Sequence, residues 1–358
     1  GRREIAYANF SSPSSRQSRS ETEVKMSDII WETDLFHPYC DMDDYYDLAI
    51  LFALAQKGLN INGILIDHPP NWPDSEPALT ALKQMEVISG ITVPACASTP
   101  TQKVSPFFLP AKARNTTGSD WLIRLLKKTD KKTDIHIAGS CEDIVSALKE
   151  KPELFEEKCS GIYLNAGTLL APSANPQYRL EYNMTMHTAY FEYLFQGPYT
   201  IFWSPCFYAL DQEWKAVEGN GGSRYPILQS DIFHEIKEPL LLYFLFALER
   251  SKDLKFSDYK NRKADPDKVE FFGRKCQDMF CTAGQIWSAG YSVDEAGNLC
   301  SRESGVFFFA SADIACDRFG NITWNLSPSG RHKMLQIPDQ RKYTVAMKKA
   351  LLLLLKEL

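Results

Sequence analysis

Short, almost wholly apolar segments alternate with helix-length stretches along most of this chain, and that rhythm constrains the fold more than any other feature. Residues 28–33 (DIIWET), 61–66, 135–138, 161–164 and 199–203 read as strands. Between them, 43–57, 76–89, 121–128, 144–149 and 188–195 carry helical spacing. In the first of these helices Leu48, Leu51, Leu54 and Ala55 share a face, and Gly58 stops it. Strands apolar at nearly every position are buried on both faces, whereas a sheet with one wet face alternates polar and apolar. The expectation is an α/β fold, with a mainly parallel sheet carrying helices on both faces.

The rhythm changes toward the C-terminus. Residues 231–249 read as one long helix. Residues 305–310 and 321–326 read as strands, with Arg318-Phe319-Gly320-Asn321 as the turn of a C-terminal β-hairpin, and 341–358 as a last amphipathic helix. Residues 1–27, rich in Ser, Arg and Glu, read as a polar tail. The remainder shows neither repeat nor linker, so 28–358 is expected to form one domain with a C-terminal elaboration.

The net charge of -5 lacks the basic excess that nucleic acid or an anionic membrane surface needs. The apolar run 351–355 ends at Lys356, far short of a membrane span, and the first residues lack a signal-peptide core. Nine cysteines, an odd number without CxxC spacing, read as reduced thiols of a cytoplasmic protein. Neither a glycine-rich phosphate loop nor a serine nucleophile elbow occurs.

The densest chemistry follows the first strand, where Asp34, Asp41, Asp43 and Asp44 crowd one loop and the start of a helix. Ligands of parallel sheets bind beyond the carboxyl ends of strands, and Asp34 lies at such an end. Crowded carboxylates repel one another. A hard cation offsets that repulsion, and oxygen donors suit Ca²⁺, with Mg²⁺ as the alternative. Capping of the helix by Asp41 or Asp43 accounts for one acid and leaves the others. His37, inside the acidic loop, is a candidate base or leaving-group acid, with loop packing as its plain alternative. Trp72, Tyr178, Tyr182 and Trp287 are candidate stacking surfaces whose default is packing.

Thr33-Asp34, then Asp41-Met42-Asp43-Asp44, then Leu48-Ala49-Ile50 resemble the aspartate signature that opens the nucleoside hydrolases. The segment from Gly161 to Gly167 is similar to that family's mid-chain strand and glycine pair. Leu180-Glu181-Tyr182-Asn183 is similar to its sugar-binding Glu-x-Asn, and Ala138-Gly139-Ser140 to the turn whose main-chain carbonyl joins the metal. The resemblance runs over about 28–335. It implies Asp34 as metal ligand and base, Asp44 as main metal ligand, and Asp43 between metal and ribose hydroxyls. It further implies Asn71, Asn165, Glu181 and Asn183 as sugar contacts. The implied activity is hydrolysis of the N-glycosidic bond of a ribonucleoside or related glycoside by a cation-activated water. The implied partner is a small molecule, with neither nucleic acid nor membrane, in a chain that forms homo-oligomers as many of that family do.

Several positions depart from that pattern. Glu32 stands where the first acid is Asp, the loop 35–40 is bulky and has no glycine, and Asn165-Ala166 replaces one glycine of a pair. His187 replaces a frequent Asp. Cys281 stands where a late Asp ligand is implied, with Asp278 three residues earlier. These departures keep open a second reading, a non-catalytic ligand-binding protein on the same scaffold. Asp41-Met42-Asp43 also admits an aspartyl phosphotransferase. That chemistry wants its DxD directly after a strand, and here His37-Pro38-Tyr39-Cys40 intervenes.

Overall fold

The structure is a computed structural model describing residues 27–68, 76–100, 107, 109, 114–251 and 261–358. The polar tail lies outside the described residues except for Ser27, and so do Asn71 and Trp72.

A nine-stranded sheet forms the centre. Its strands are β1 (Asp28–Thr33), β2 (Asn60–Ile66), β3 (Ala95–Ala97), β4 (Thr133–Ile137), β5 (Cys159–Asn165), β6 (Thr200–Ser204), β7 (Phe308–Cys316), β8 (Ile322–Leu326) and β9 (His332–Gln336). The spatial order is β8-β7-β9-β6-β5-β4-β1-β2-β3. Pairing from β3 across to β9 is parallel, and only β7 pairs antiparallel, with β8 and β9. The expected mainly parallel α/β sheet is therefore present. The C-terminal hairpin is also present and is stitched into this sheet through β9. Its turn is closed by Asp317, whose Oδ1 accepts the amides of Phe319 and Asn321 at 2.9 Å each, and Gly320 supplies a φ of 82°.

Two cores lie on opposite faces of the sheet, and alternate strand residues divide between them. Ile29, Trp31, Ile64 and Ile66 pack against α1 (Asp43–Gln56), α2 (Leu79–Ser89), α9 (Glu238–Leu248), α11 (Thr282–Ser288) and α12 (Gln340–Glu357). Ile30, Leu65, Ile135 and Ile162 pack against α3 (Thr117–Lys128), α4 (Glu142–Glu150), α5 (Pro152–Lys158) and α7 (Thr188–Phe195). Helices thus cover both faces, as the unbroken apolar strands require.

Three elements differ from the expectation. Helix α1 is buried around its whole girth from Asp44 to Leu54, not along one face, because its run YYDLAILFALA offers no polar side. The long helix expected over 231–249 is two, α8 (Ser230–Phe233) and α9. Pro239 lacks an N–H and clashes with a preceding turn, so the chain restarts with proline in the first turn. The helix expected from 76 begins at Leu79, because Glu76–Pro77 pairs as a short antiparallel bridge with Phe36–His37. Strands β3 and β9 went unforeseen, the first being three residues long and the second (HKMLQ) having only two apolar residues between polar ends. Among the described residues no helix is long and apolar enough to cross a membrane.

Trp203 ties the core to the edge that carries the site. Its side chain is fully buried, and its Nε1 donates to the Ala166 carbonyl at 2.8 Å, next to Asn165. Replacing Trp203 by Ala removes a large buried volume and strands that carbonyl, so equilibrium urea denaturation should show a loss of about 3–5 kcal/mol. A loss under about 1 kcal/mol would contradict this packing.

Candidate active site

The carboxyl edge of the parallel strands collects the chemistry, as the topology dictates. Asp34 follows β1, Ala138 follows β4, and Asn165 ends β5. The first turn of α1 carries Asp43 and Asp44. The short helix α6 (Tyr182–Met186) opens at Glu181 and carries Asn183, and Cys281 precedes α11. Asp34, Asp41, Asp43, Asp44, Asn165, Glu181 and Asn183 all line one cavity of about 280 Å³. Those expected site residues are brought together. Asn71 lies outside the described residues.

His37 is not brought there. Its Nδ1 sits 3.2 Å from the Tyr45 hydroxyl, its Nε2 is 2.6 Å from the Ser251 carbonyl, and its ring stacks on Phe246 at 4.6 Å. The imidazole is held by packing and does not line the cavity, so an acid–base role for it has no geometric support.

The acids form a negative floor. Among the described residues no lysine, arginine or histidine lines the cavity, and no ion pair involves Asp34, Asp41, Asp43 or Asp44. Helix capping does not explain them either, since Met42 occupies the N-cap and no side chain caps the helix. Asp44 Oδ1 accepts the Thr33 hydroxyl at 2.5 Å, and Asp41 Oδ1 accepts Gln277 Nε2 at 2.6 Å. Burial pushes the carboxyls of Asp34, Asp43 and Asp44 above the usual carboxylate range, and neighbouring acids push them further. A hydrogen bond shared between Asp34 and Asp44 pulls Asp34 back down.

The opposite wall is more fully satisfied. Glu181 caps α6, accepting the amides of Asn183 at 2.8 Å and Met184 at 3.4 Å, and it also accepts the Gly167 amide at 2.9 Å. Asn165 Nδ2 donates to the Ser204 carbonyl at 2.8 Å and to the Ser223 hydroxyl at 3.1 Å.

Two groups that the resemblance implies for a cation are engaged elsewhere. The Ala138 carbonyl accepts Asn183 Nδ2 at 2.9 Å. Cys281, in place of the late Asp, turns its thiol to Asn165 Oδ1 at 3.1 Å. Among the described residues no three His, Cys, Asp or Glu side chains stand in a metal-holding arrangement. The donor chemistry of the Asp34–Asp44 side nevertheless fits a hard cation: a half-buried and a buried carboxylate within hydrogen-bonding reach, a third beside them, and no positive side chain among the described residues of the lining.

Sequence reading missed several neighbours. Cys206, Phe207, Leu210, Trp214 and Phe280 also line the cavity, and of the expected stacking candidates among the described residues Tyr182 joins them while Tyr178 and Trp287 do not. Trp214 had a readable cue, the Asp211-Gln212-Glu213 turn before it. Behind the floor, Glu32 and Asp67 are buried with one unpartnered oxygen each, while their other oxygens accept the amides of Gly139 at 3.1 Å and Ser140 at 2.8 Å. Asp47, on the inner side of α1, is fully buried and neither oxygen makes a well-formed hydrogen bond. Burial holds its carboxyl up at about 7, and the Cys281 thiol partly offsets that rise.

No family model matches the sequence, and no curated protein matches it. Solved structures do resemble it. A plant nucleoside hydrolase, PpNRh1, is 14% identical, with 91% of this chain and 99% of that one covered at a TM-score of 0.54. The type III effector protein XopQ, solved with adenosine diphosphate ribose, is 12% identical, with 92% and 94% covered at a TM-score of 0.52. An inosine-uridine preferring nucleoside hydrolase from Bacillus anthracis is 14% identical, with 93% and 100% covered at a TM-score of 0.46. The two likenesses above 0.5 show that this chain has a nucleoside hydrolase-like α/β fold. At such identities they show the fold and leave the chemistry to the residues.

Asp47 generates a pH prediction. Its native carboxyl titrates near 7, above the ordinary unfolded value of about 4, so the native state keeps a proton that the unfolded state has lost. The stability it supports is full at low pH and is lost as pH rises through that interval. In chelator, Asp47→Asn should therefore be more stable than the parent at pH 8, by about 1 kcal/mol or more, with no such gain at pH 4. Equal gains at both pH values in chemical denaturation would contradict the raised carboxyl.

Proposed function

We propose that this chain is a divalent-cation-dependent ribosyl hydrolase that cleaves the N-glycosidic bond of a small nucleoside-type substrate in the acidic cavity. The observation that carries the proposal is the set of carboxylates of Asp34, Asp43 and Asp44, the first two half-buried and the last buried, with no basic side chain among the described residues of the lining, in a cavity of about 280 Å³ at the carboxyl edge of the sheet.

Asp34 and Asp44 would hold the cation, Ca²⁺ by their oxygen chemistry, with Mg²⁺ as the alternative. When bound, the cation supplies Lewis acidity that makes water nucleophilic near neutral pH. The residues do the rest. Asp34 takes the proton of the attacking water, while the base departs with the electron pair of the broken C–N bond and takes its proton from solvent. Asp43 accepts hydrogen bonds from ribose hydroxyls, which carboxylates do well. The negative floor stabilises the positive charge that develops on the sugar as the glycosidic bond lengthens. Asn183 and Glu181, fixed at the start of α6, bound the sugar on the other side.

A second reading has its own support. With Cys281 bonded to Asn165 and the Ala138 carbonyl bonded to Asn183, the far side of the site is closed by internal hydrogen bonds, which suits a binding protein that does not cleave.

Chromatographic detection of free base from inosine, with and without Ca²⁺, separates the two. Under the hydrolase proposal Ca²⁺ supports base release, Asp34→Ala lowers it by at least ~100-fold, and the rise in Tm that Ca²⁺ confers disappears in Asp44→Ala. Unchanged turnover in Asp34→Ala would sink the catalytic assignment. Riboside binding without any base release would establish the non-catalytic reading.

A further inference from the structure

The wall facing the acidic floor contains an unusual pairing of charge and aromatic surface. Trp214 lines the cavity and is 45% exposed, yet its backbone is held in the left-handed region at φ 64°. A closed turn pins it there. Asp211 Oδ1 accepts the amides of Glu213 and Lys215 at 2.9 Å each, the Asp211 carbonyl accepts the Trp214 amide at 3.1 Å, and the Lys215 carbonyl accepts the Asp211 amide at 3.0 Å.

One face of the indole is occupied by Arg179, whose guanidinium carbon lies 3.2 Å from the ring centroid. Arg179 is anchored at two points. Its amide donates to the Leu210 carbonyl at 3.0 Å, and its Nη1 donates to the Gln212 carbonyl at 3.2 Å. Among the described residues it makes no ion pair, and its Nε is buried without a hydrogen-bond partner. Its charge is therefore spent on the ring and remains uncancelled by any carboxylate.

This geometry has a consequence for a ligand. A cation on one face of an indole draws on the electrons that the other face would offer to a second cation. Tyr182 reaches the indole from within the same lining, its ring centroid 6.3 Å away and tilted by 50°, and a ligand ring stacked on the face away from Arg179 would lie beside it, about 7 Å from the guanidinium, close enough for unscreened charge to matter in a half-buried site. An uncharged, electron-rich ring is favoured there, and a positively charged ring is repelled.

We propose that the Arg179–Trp214 stack is the leaving-group selector of this site, accepting ribosides of neutral, purine-like aglycones and discriminating against ribosides of cationic, pyridinium-type aglycones. The inference rests on the ribosyl-binding reading above and names the substrate class within it. The acidic floor attracts any cationic ligand, so the informative quantity is how a change at Arg179 alters the ratio of two affinities, not either affinity alone.

The test is calorimetric titration of the full chain with inosine and with nicotinamide riboside in Ca²⁺ buffer, with product formation monitored in parallel. Arg179→Gln should shift the ratio of dissociation constants toward nicotinamide riboside by at least tenfold. Arg179→Lys, which keeps the charge and controls for loss of the turn, should leave the ratio near that of the parent. Trp214→Ala should weaken inosine binding more than nicotinamide riboside binding. An unmoved ratio in Arg179→Gln, with both ribosides still bound and Arg179→Lys folded, would overturn this inference alone. Failure of the parent protein to bind either riboside would remove the ribosyl reading and this inference with it.

Discussion

The constraint on which the site depends is the crowding of several buried and half-buried carboxylates at one sheet edge, with no basic residue among the described residues that line it. Two unit negative charges about 4 Å apart repel by roughly 4 kcal/mol even at an effective dielectric near 20. Asp34, Asp43 and Asp44 escape that repulsion only by holding protons or by sharing a cation, and each carboxyl is accordingly raised above its ordinary range. Ion pairs elsewhere join lysines and arginines to acids near the surface, and among the described residues none reaches this floor. Carboxyls displaced this far from their ordinary range gather at functional sites, which is the ground on which the proposed cation and substrate roles rest.

The fold imposes this arrangement and does not relax it. Helix α1 is gripped between the sheet, α2, α11 and α12, so the acids in its first turn cannot splay outward. Strand β1 runs in the middle of the parallel sheet, which fixes Asp34 opposite them. The turn after β4 is held by Glu32 and Asp67 through the amides of Gly139 and Ser140. A Cβ on Gly139 would approach Glu32 Oε1 to 2.9 Å and the Asp34 amide to 3.0 Å, so this turn has room only for glycine. The acids are thus set in a rigid frame whose remaining freedom is the occupancy of protons or cations.

Much of this was legible in the residues. The apolar strands announced a sheet covered on both faces, and the acids after β1 announced the edge where chemistry collects. Tertiary context decided the rest. Nothing local in DDYYDLAILFALA says that all sides of α1 are buried, because a helix between two layers and a helix on one layer begin with similar spacing. His37 looked catalytic from its place among acids, but its ring turns to Phe246 and the Ser251 carbonyl, contacts more than 200 residues away in sequence that no local pattern encodes. Trp214 has a local cue in the turn before it, but neither its place in the cavity nor that of Asp47 in the core is written in its neighbours. One reaches the cavity from a distant hairpin, and the other is a single acid in an apolar helix whose meaning depends on Cys281 across the interface.

The acidic floor either trades protons for a cation or keeps them. The direct measurement is the number of protons released when Ca²⁺ is added, obtained from calorimetric titrations at pH 7 in buffers of different ionisation enthalpy. If Asp34, Asp43 and Asp44 share charge as described, Ca²⁺ binding expels protons, and the uptake by buffer is measurable and is lost in Asp44→Ala. Ca²⁺ binding with no proton release, or no Ca²⁺ binding at all, would contradict it.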